Sequence, residues 1–355
     1  MFKKKIFDHE IYVYSGCVHI HSEHSFDSPV SVKKVVDAAK KVGLDFITFN
    51  DHLSLGSKDD LQNINCADII TIPGYEMHDP KKNNHYLVYN TEKAYDKAIP
   101  AKEYVENISK KNGIGFIAHP FEIRKSKLFR KYEWNYWDTE KFDGIEIWNY
   151  LSQWTDSFCK IPSVVQSIAA PNLTLSKPLR KSLDKWDEYN KKGLRKSGIG
   201  GVDAHGKSLS IGSLSLTLLP HKKLFKTIRT NIWMREKLKK ENSQEQILAA
   251  LKNGNSVIVN YANADPEMFY CGIFSEDKGK FALSGEEISL SVGKLRFYTY
   301  LPQDCHISVI HNGERIISQY QNKLNFEVKE PGFYRVEILR GIYGWIYSNP
   351  IYVTE

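Results

Sequence analysis

The chain has 355 residues, 41% of them hydrophobic, and carries 49 Lys+Arg against 42 Asp+Glu for a formal net charge of +7. That length and apolar content suffice for a full core and more than one ordinary domain, so two domains are expected. The basic excess suits a phosphorylated or otherwise anionic small substrate. The cations fall in short pieces such as Lys3 to Lys5 and Arg235 to Lys240, without the long basic tract that argues for nucleic acid, which stays possible but not favoured as a partner. Five cysteines, odd in number, far apart and without a CxxC pair, exclude a disulfide framework and point to a reducing compartment. The N-terminus lacks the apolar run of a signal peptide, and no stretch approaches the roughly 18 apolar residues of a membrane span. A soluble cytoplasmic protein with no membrane partner is expected; protein partners are not readable.

From Ile11 to about Leu219 short apolar strands alternate with polar turns and helices, the pattern of parallel strands joined by helices. The predicted strands are Gly16 to Ile20, Phe46 to Phe49, Ile69 to Ile72, Ile114 to Ala118, Gly144 to Trp148 and Ile199 to Val202. Between the first two, Pro29 to Val42 reads as a helix with Ser28 as N-cap and Gly43 at its end. The long interval from Arg124 to Lys196, rich in Trp, Lys and Pro, reads as inserted helices and loops running past one strand. Ser243 to Asn253 reads as a connecting helix with Ser243 capping and Gly254 just past its end. From Ser256 onward short alternating runs recur, as in Ile288 to Val292 and Tyr334 to Ile338, with turns at His311 to Glu314 and Glu330 to Gly332. This is the pattern of an immunoglobulin-like β-sandwich. The expected partition is 1–235 with an insertion over about 124–196, a connector over 236–255, and an all-β domain over 256–355.

Potential metal ligands stand just after the predicted strands. His19 and His21 alternate with Ile20, so the pleat of a strand would turn both imidazoles to one side. Asp27 precedes the first helix. Asn50-Asp51-His52 ends the second strand, the third runs into Pro73-Gly74-Tyr75-Glu76, and His85 follows. His119 closes the strand from Ile114, and Asp203 and His205 close the strand from Ile199. A lone histidine on a strand is more often a hydrogen-bonded structural residue than a ligand. Six at strand ends, some with carboxylates close by, are not explained by structural roles alone.

His19-Ile-His-Ser22, Thr48-Phe-Asn-Asp-His52, Pro73-Gly-Tyr-Glu76, Ala118-His-Pro120 and Gly201-Val-Asp-Ala-His205 resemble the successive motifs of the polymerase and histidinol phosphatase (PHP) family. The resemblance spans residues 11 to about 220 and implies an α/β fold, a distorted seven-stranded β/α barrel holding two or three Zn, Mn or Fe ions. By position it implies His19, His21, Glu76 and Asp203 around one ion, Glu76 bridging to a second completed by His85 and His119, and Asp27, His52 and His205 around a third. His24 lies close enough in sequence to compete with Asp27. The donors are nitrogen and oxygen without thiolate, which does not choose among those metals.

The expected activity is hydrolysis of a small phosphomonoester or phosphodiester by a metal-bound hydroxide, with Glu76, Asp203, His205 and Arg124 as the catalytic residues. Arg124 and Lys207 are the candidate cations for phosphoryl charge, and Asp51 is a candidate to orient the His52 imidazole. Trp134, Trp137 and Trp154 read as the insertion's own core rather than a stacking wall, whereas Tyr75 and Trp148 stand nearer a substrate. A metallohydrolase acting on carboxylic esters or amides and a non-catalytic, metal-stabilised binding module are the alternatives.

Overall fold

The computed structural model describes residues 1–124, 129–158, 170–206, 208–211, 214–217 and 219–355. Lys207 lies outside the described residues. The chain divides into two compact units, one built from Ser15–Leu175 and Gly200–Arg229, the other from Met1–Tyr14, Ser176–Ile199 and Thr230–Glu355.

The first unit is a mixed α/β structure. The strand His9–Ile20 pairs in parallel with Phe46–Phe49, through Gly16 opposite Phe46, and with Ser197–Ala204, through Gly201 opposite Val18. Phe46–Phe49 continues in parallel to Ile70–Ile72, and Asp51–His52 to Tyr75–Met77. The next two steps are antiparallel, from Tyr75–Met77 to Tyr86–Tyr89 and on to Ile114–Ile117, before a parallel step to Gly144–Asn149. The expected barrel of parallel strands is corrected accordingly: the sheet is mixed, with two antiparallel steps. Residues 78–85, which join Tyr75–Met77 to Tyr86–Tyr89, are too few for a crossover helix of a dozen or more, so the chain turns straight back.

The helix Val32–Lys41 buries Val32, Val35, Val36 and Ala39, the i, i+3, i+4, i+7 stripe of an amphipathic helix, and keeps its lysines outside. It begins three residues later than the sequence suggests, with Ser31 rather than Ser28 at the N-cap. The backbone N–H of Glu23 donates to the carbonyl of Val30, which holds Pro29 and Val30 out of the helix. Trp134 and Trp154 are buried, Trp134 against Tyr86 and Trp154 against Phe158. They are core, as their large apolar area favours.

In the second unit, long antiparallel strands pack a core that includes Phe269, Ile273, Phe297, Val309, Val336, Trp345 and Ile351. Leu295–His311 and Glu314–Val328 form a hairpin whose turn places Asn312 and Gly313 at φ 50° and 86°, the positive-φ pair of a type I′ turn. The helix Ser243–Asn253 ends on Gly254 at φ 75°, as expected, but Ser243 is its first residue and Asn242 the N-cap. Within the same unit the fully buried Arg335 forks onto Asp187 of the helix Arg180–Lys191, at 2.7 and 2.6 Å, and reaches Glu337 at 2.9 Å. No described helix is long and apolar enough to cross a membrane.

Candidate metal centre

All nine sequence-predicted ligands lie in the first unit, and the fold brings them together. Candidate donor groups within 4.8 Å of one another are His19, His21 and Glu76; His19, His119 and Asp203; His52, Glu76 and His85; and His21, Asp27, His52 and His205. The local device is not the one expected. His19 and Asp203 sit at φ 64° and 52°, and the pairing of their two strands shifts register between Cys17 and Ile20 and between Gly201 and Ala204. Bulges of this kind re-aim side chains at a strand end. His19 and His21 converge because the strand is broken at His19, not because an unbroken pleat presents them side by side.

His19 and His21 both turn Nε2 to Glu76 and Asp203. His19 Nε2 lies 3.3 Å from Glu76 Oε2 and 3.4 Å from Asp203 Oδ1, while His21 Nε2 lies 3.4 and 3.3 Å from the same two oxygens. Donors at about 2.0–2.1 Å from a tetrahedral ion stand roughly 3.3–3.4 Å apart. Glu76 turns its other oxygen the opposite way: Oε1 is 2.7 Å from His85 Nδ1 and 3.4 Å from His119 Nε2. One carboxylate thus faces two groups of imidazoles. In the group around Asp27, its Oδ2 is 2.9 Å from His205 Nε2 and 3.5 Å from His52 Nε2. His24 is directed elsewhere, pairing with Asp60 at 2.7 Å.

Tautomers follow from the other ring nitrogens. His19 Nδ1–H donates to Glu146 Oε1 at 3.0 Å, His21 Nδ1–H to Ser25 Oγ at 3.3 Å, and His205 Nδ1–H to the Asp203 carbonyl at 2.9 Å. With Nδ1 as the donor, each ring turns Nε2 to a carboxylate oxygen, a contact that needs a cation or a proton between the two. His21 Nε2, His52 Nδ1, His85 Nε2 and His119 Nδ1 are buried and make no hydrogen bond to the described residues. Buried polar atoms are normally satisfied; the orphaned His21 Nε2 faces Glu76 and Asp203 and the orphaned His52 Nδ1 lies 3.4 Å from Glu76 Oε2, positions a divalent ion would satisfy, whereas His85 and His119 turn their other nitrogens to Glu76.

The electrostatics agree. Burial lowers the His21 pKa to about 3, with the neighbouring His205 and His52 adding to the effect, and burial lowers His85 to about 4 against the pull of Glu76. Burial also opposes charge on His119 and His19, but Glu76 and Glu122 raise His119 to about 9, and Asp203, Glu146 and Glu76 raise His19 well above the ordinary value. Despite burial, the surrounding imidazoles hold Glu76, Asp203 and Asp27 well below the usual carboxylate range.

Some expected roles are corrected. Arg124 is not a free cation for a phosphoryl group: it pairs with Glu122, meets Asp156 at 2.7 Å and donates to the Ser152 carbonyl at 2.8 Å. Asp51 does not orient His52, because its two oxygens accept from the backbone N–H of Ser22 at 2.5 Å and from Ser22 Oγ at 2.8 Å. Tyr75 and Trp148 are buried, at 1% and 2% exposure, and offer no surface to a substrate.

Several residues that hold the centre together are not picked out by the sequence motifs. Glu146 Oε2 accepts from the backbone N–H of His119 at 2.9 Å and from Asn149 Nδ2 at 2.9 Å, so one carboxylate orients both His19 and His119. Its signal was a lone charge in the apolar run Ile145-Glu146-Ile147. Ser25 Oγ donates to Asp27 Oδ1 at 2.8 Å and accepts from the backbone N–H of His52 at 3.2 Å. His221 Nε2 reaches the His21 carbonyl at 3.1 Å.

The fold and this cluster define an α/β protein with a candidate multinuclear metal centre. Residues 18–142 match the family model of the PHP domain. Among curated proteins none matches the chain. Among solved structures it is similar to a candidate metal-dependent phosphoesterase from Bifidobacterium adolescentis, at 11% identity and TM-score 0.37, over 59% of this chain and 93% of that one. It is similar to PsfC from Pseudomonas syringae at 12% identity and TM-score 0.38, over 68% and 89%. A third similar structure is Endonuclease Q in complex with a 27-mer duplex bearing an abasic lesion, at 16% identity and TM-score 0.39, over 68% of this chain and 57% of that one.

Proposed function

We propose that the protein hydrolyses a phosphate ester, a small monoester or diester, at a centre of two or three divalent ions. The observation that carries the reading is the convergence of His19 Nε2 and His21 Nε2 on the same two carboxylate oxygens, Glu76 Oε2 and Asp203 Oδ1, at 3.3–3.4 Å. His19, His21, Glu76 and Asp203 would hold one ion; Glu76, His85 and His119 a second; Asp27, His52 and His205 a third. Zn, Mn and Fe all suit these donors. Bound there, such ions supply Lewis acidity and lower the pKa of water toward neutrality.

The chain's own residues support the chemistry in stated ways. Glu76, Asp203 and Asp27 are kept ionised by the imidazoles around them, so the donors are ready without a prior proton loss from any carboxylate. Three donor carboxylates, with Glu146 behind them, leave three divalent ions with excess positive charge, which favours an anionic ester over a neutral amide. Glu146 fixes the His19 imidazole through Nδ1 and holds the backbone of His119 through its N–H. Ser25 sets the His21 tautomer that leaves Nε2 free to bind.

The test is hydrolysis of p-nitrophenyl phosphate and bis(p-nitrophenyl) phosphate, with p-nitrophenyl acetate as the comparison, by protein loaded with Mn or Zn. Turnover of a phosphate ester that chelator abolishes supports the reading. Turnover of the acetate alone would contradict it.

A further inference from the structure

The mouth of the cluster carries an exposed aromatic ring. Phe26, next to Asp27, is 70% exposed, and its ring lies nearly parallel to the His52 imidazole, 4.8 Å between centroids at 17°. Leaving a phenylalanine open to water on a polar turn costs the apolar burial it would otherwise gain. A cation stands by it: Lys82 Nζ is 5.2 Å from the ring centre. A second pair repeats the arrangement, with Tyr132 against His85 at 4.9 Å and the Arg130 guanidinium 5.3 Å from the Tyr132 ring.

These two pairs are held by built structure rather than by chance side-chain placement. Lys82, at φ 54°, forms part of a turn closed by Asp79, which accepts from the backbone N–H of Asn83 at 2.8 Å and from Asn84 Nδ2 at 2.8 Å. Asn84 in turn binds the Tyr132 segment: its backbone N–H donates to the Glu133 carbonyl at 3.1 Å, and its Oδ1 accepts from the backbone N–H of Asn135 at 2.6 Å. Arg130 also donates to the Lys81 carbonyl. Phe26 and Lys82 therefore share one frame with Tyr132 and Arg130, beside two imidazoles of the cluster.

We propose that Phe26, Lys82, Tyr132 and Arg130 form the subsite for the organic part of the ester, and that this part is a planar aromatic ring carrying a second negative charge. The proposal rests on the phosphoesterase reading. An exposed ring face is a stacking platform for any planar group, and the two exposed cations match an anion beyond the scissile ester.

Calorimetry on the Mn-loaded protein with non-hydrolysable probes tests it. Phenylphosphonate should bind about tenfold more tightly than methylphosphonate, and 4-carboxyphenylphosphonate more tightly still, with the extra gain falling as salt is raised. F26A should lose the preference for phenyl over methyl while F26Y keeps it. K82A should lose the gain from the carboxylate and leave the phenyl preference intact. Equal binding of phenylphosphonate and methylphosphonate by the wild type would overturn this subsite and leave the phosphoesterase reading standing. Binding of neither, by protein shown to hold its ions, would overturn both.

Discussion

His19 Nδ1 lies 3.0 Å from Oε1 of Glu146, a carboxylate outside the proposed ligand set whose other oxygen holds the backbone N–H of His119. This pairing fixes which nitrogen of His19 faces Glu76 and Asp203, so the cluster depends on a residue outside its own donors. Loss of such a partner commonly costs 10- to 100-fold in metal affinity. Glu146→Ala is expected to weaken the tightest site by about that factor in a competition titration against a chromophoric chelator. An affinity within twofold of the wild type would show that Glu146 is not an orienting partner.

Gly201→Ala should give the same defect without replacing any donor. A Cβ at Gly201 would stand 2.0 Å from Glu146 Oε1 and 3.0 Å from His19 Cβ, so the carboxylate must leave its place. The measurement is metal content after dialysis, compared with the wild type. Equal metal retention in the two proteins would contradict the crowding argument.

Metal uptake should release protons. His119, with a pKa near 9, and His19, raised well above its ordinary value, are protonated in the metal-free protein at neutral pH, whereas His21 and His85, near 3 and 4, are already neutral. Because bound metal requires the neutral rings, filling the centre at pH 7 should expel about two protons. Affinity should rise with pH and begin to flatten as pH passes about 9, where His119 no longer holds its proton. Calorimetric titrations in buffers of different ionisation enthalpy measure this directly, and a binding enthalpy that does not depend on the buffer would refute it.

Arg124 should matter for stability and not for phosphate binding. Its guanidinium lies between Glu122 and Asp156, and Arg124, Glu122 and Asp156 have side chains 7%, 1% and 10% exposed. Removing one partner from a buried ion pair typically costs about 3–5 kcal/mol. Arg124→Ala should lose an amount of that order in urea denaturation, with KM for a phosphate ester changed less than threefold in the fraction that remains folded. A large rise in KM with unchanged stability would return Arg124 to the substrate.

The sequence made the chemistry more legible than the geometry. His and Asp or Glu at strand ends are visible as residue types, and the positions of His19, His21, Glu76, His85, His119, Asp203 and His205 along the chain mark the places that the fold brings together. Strand alternation could not reveal the bulges at His19 and Asp203, since a single residue in the left-handed region erases the period on which that reading depends. Arg124 and Asp51 could not be assigned from neighbours in sequence, because their partners Asp156 and Ser22 lie 32 and 29 positions away. The partly antiparallel course of the sheet was hidden for a related reason: the turn that reverses Tyr86–Tyr89 is set by Asp79 and Asn84, residues that carry no family motif.

The most direct test of the account is elemental analysis of the protein after loading with Mn or Zn and removal of free metal, for the wild type and for His21→Ala. The buried, unsatisfied Nε2 of His21 stands opposite Glu76 and Asp203, and its loss opens the first coordination shell. Two or three ions per chain in the wild type, with at least one fewer in the variant, is the result expected. Absence of stoichiometric metal from the wild type under every loading condition would contradict the proposed centre and the hydrolytic function built on it.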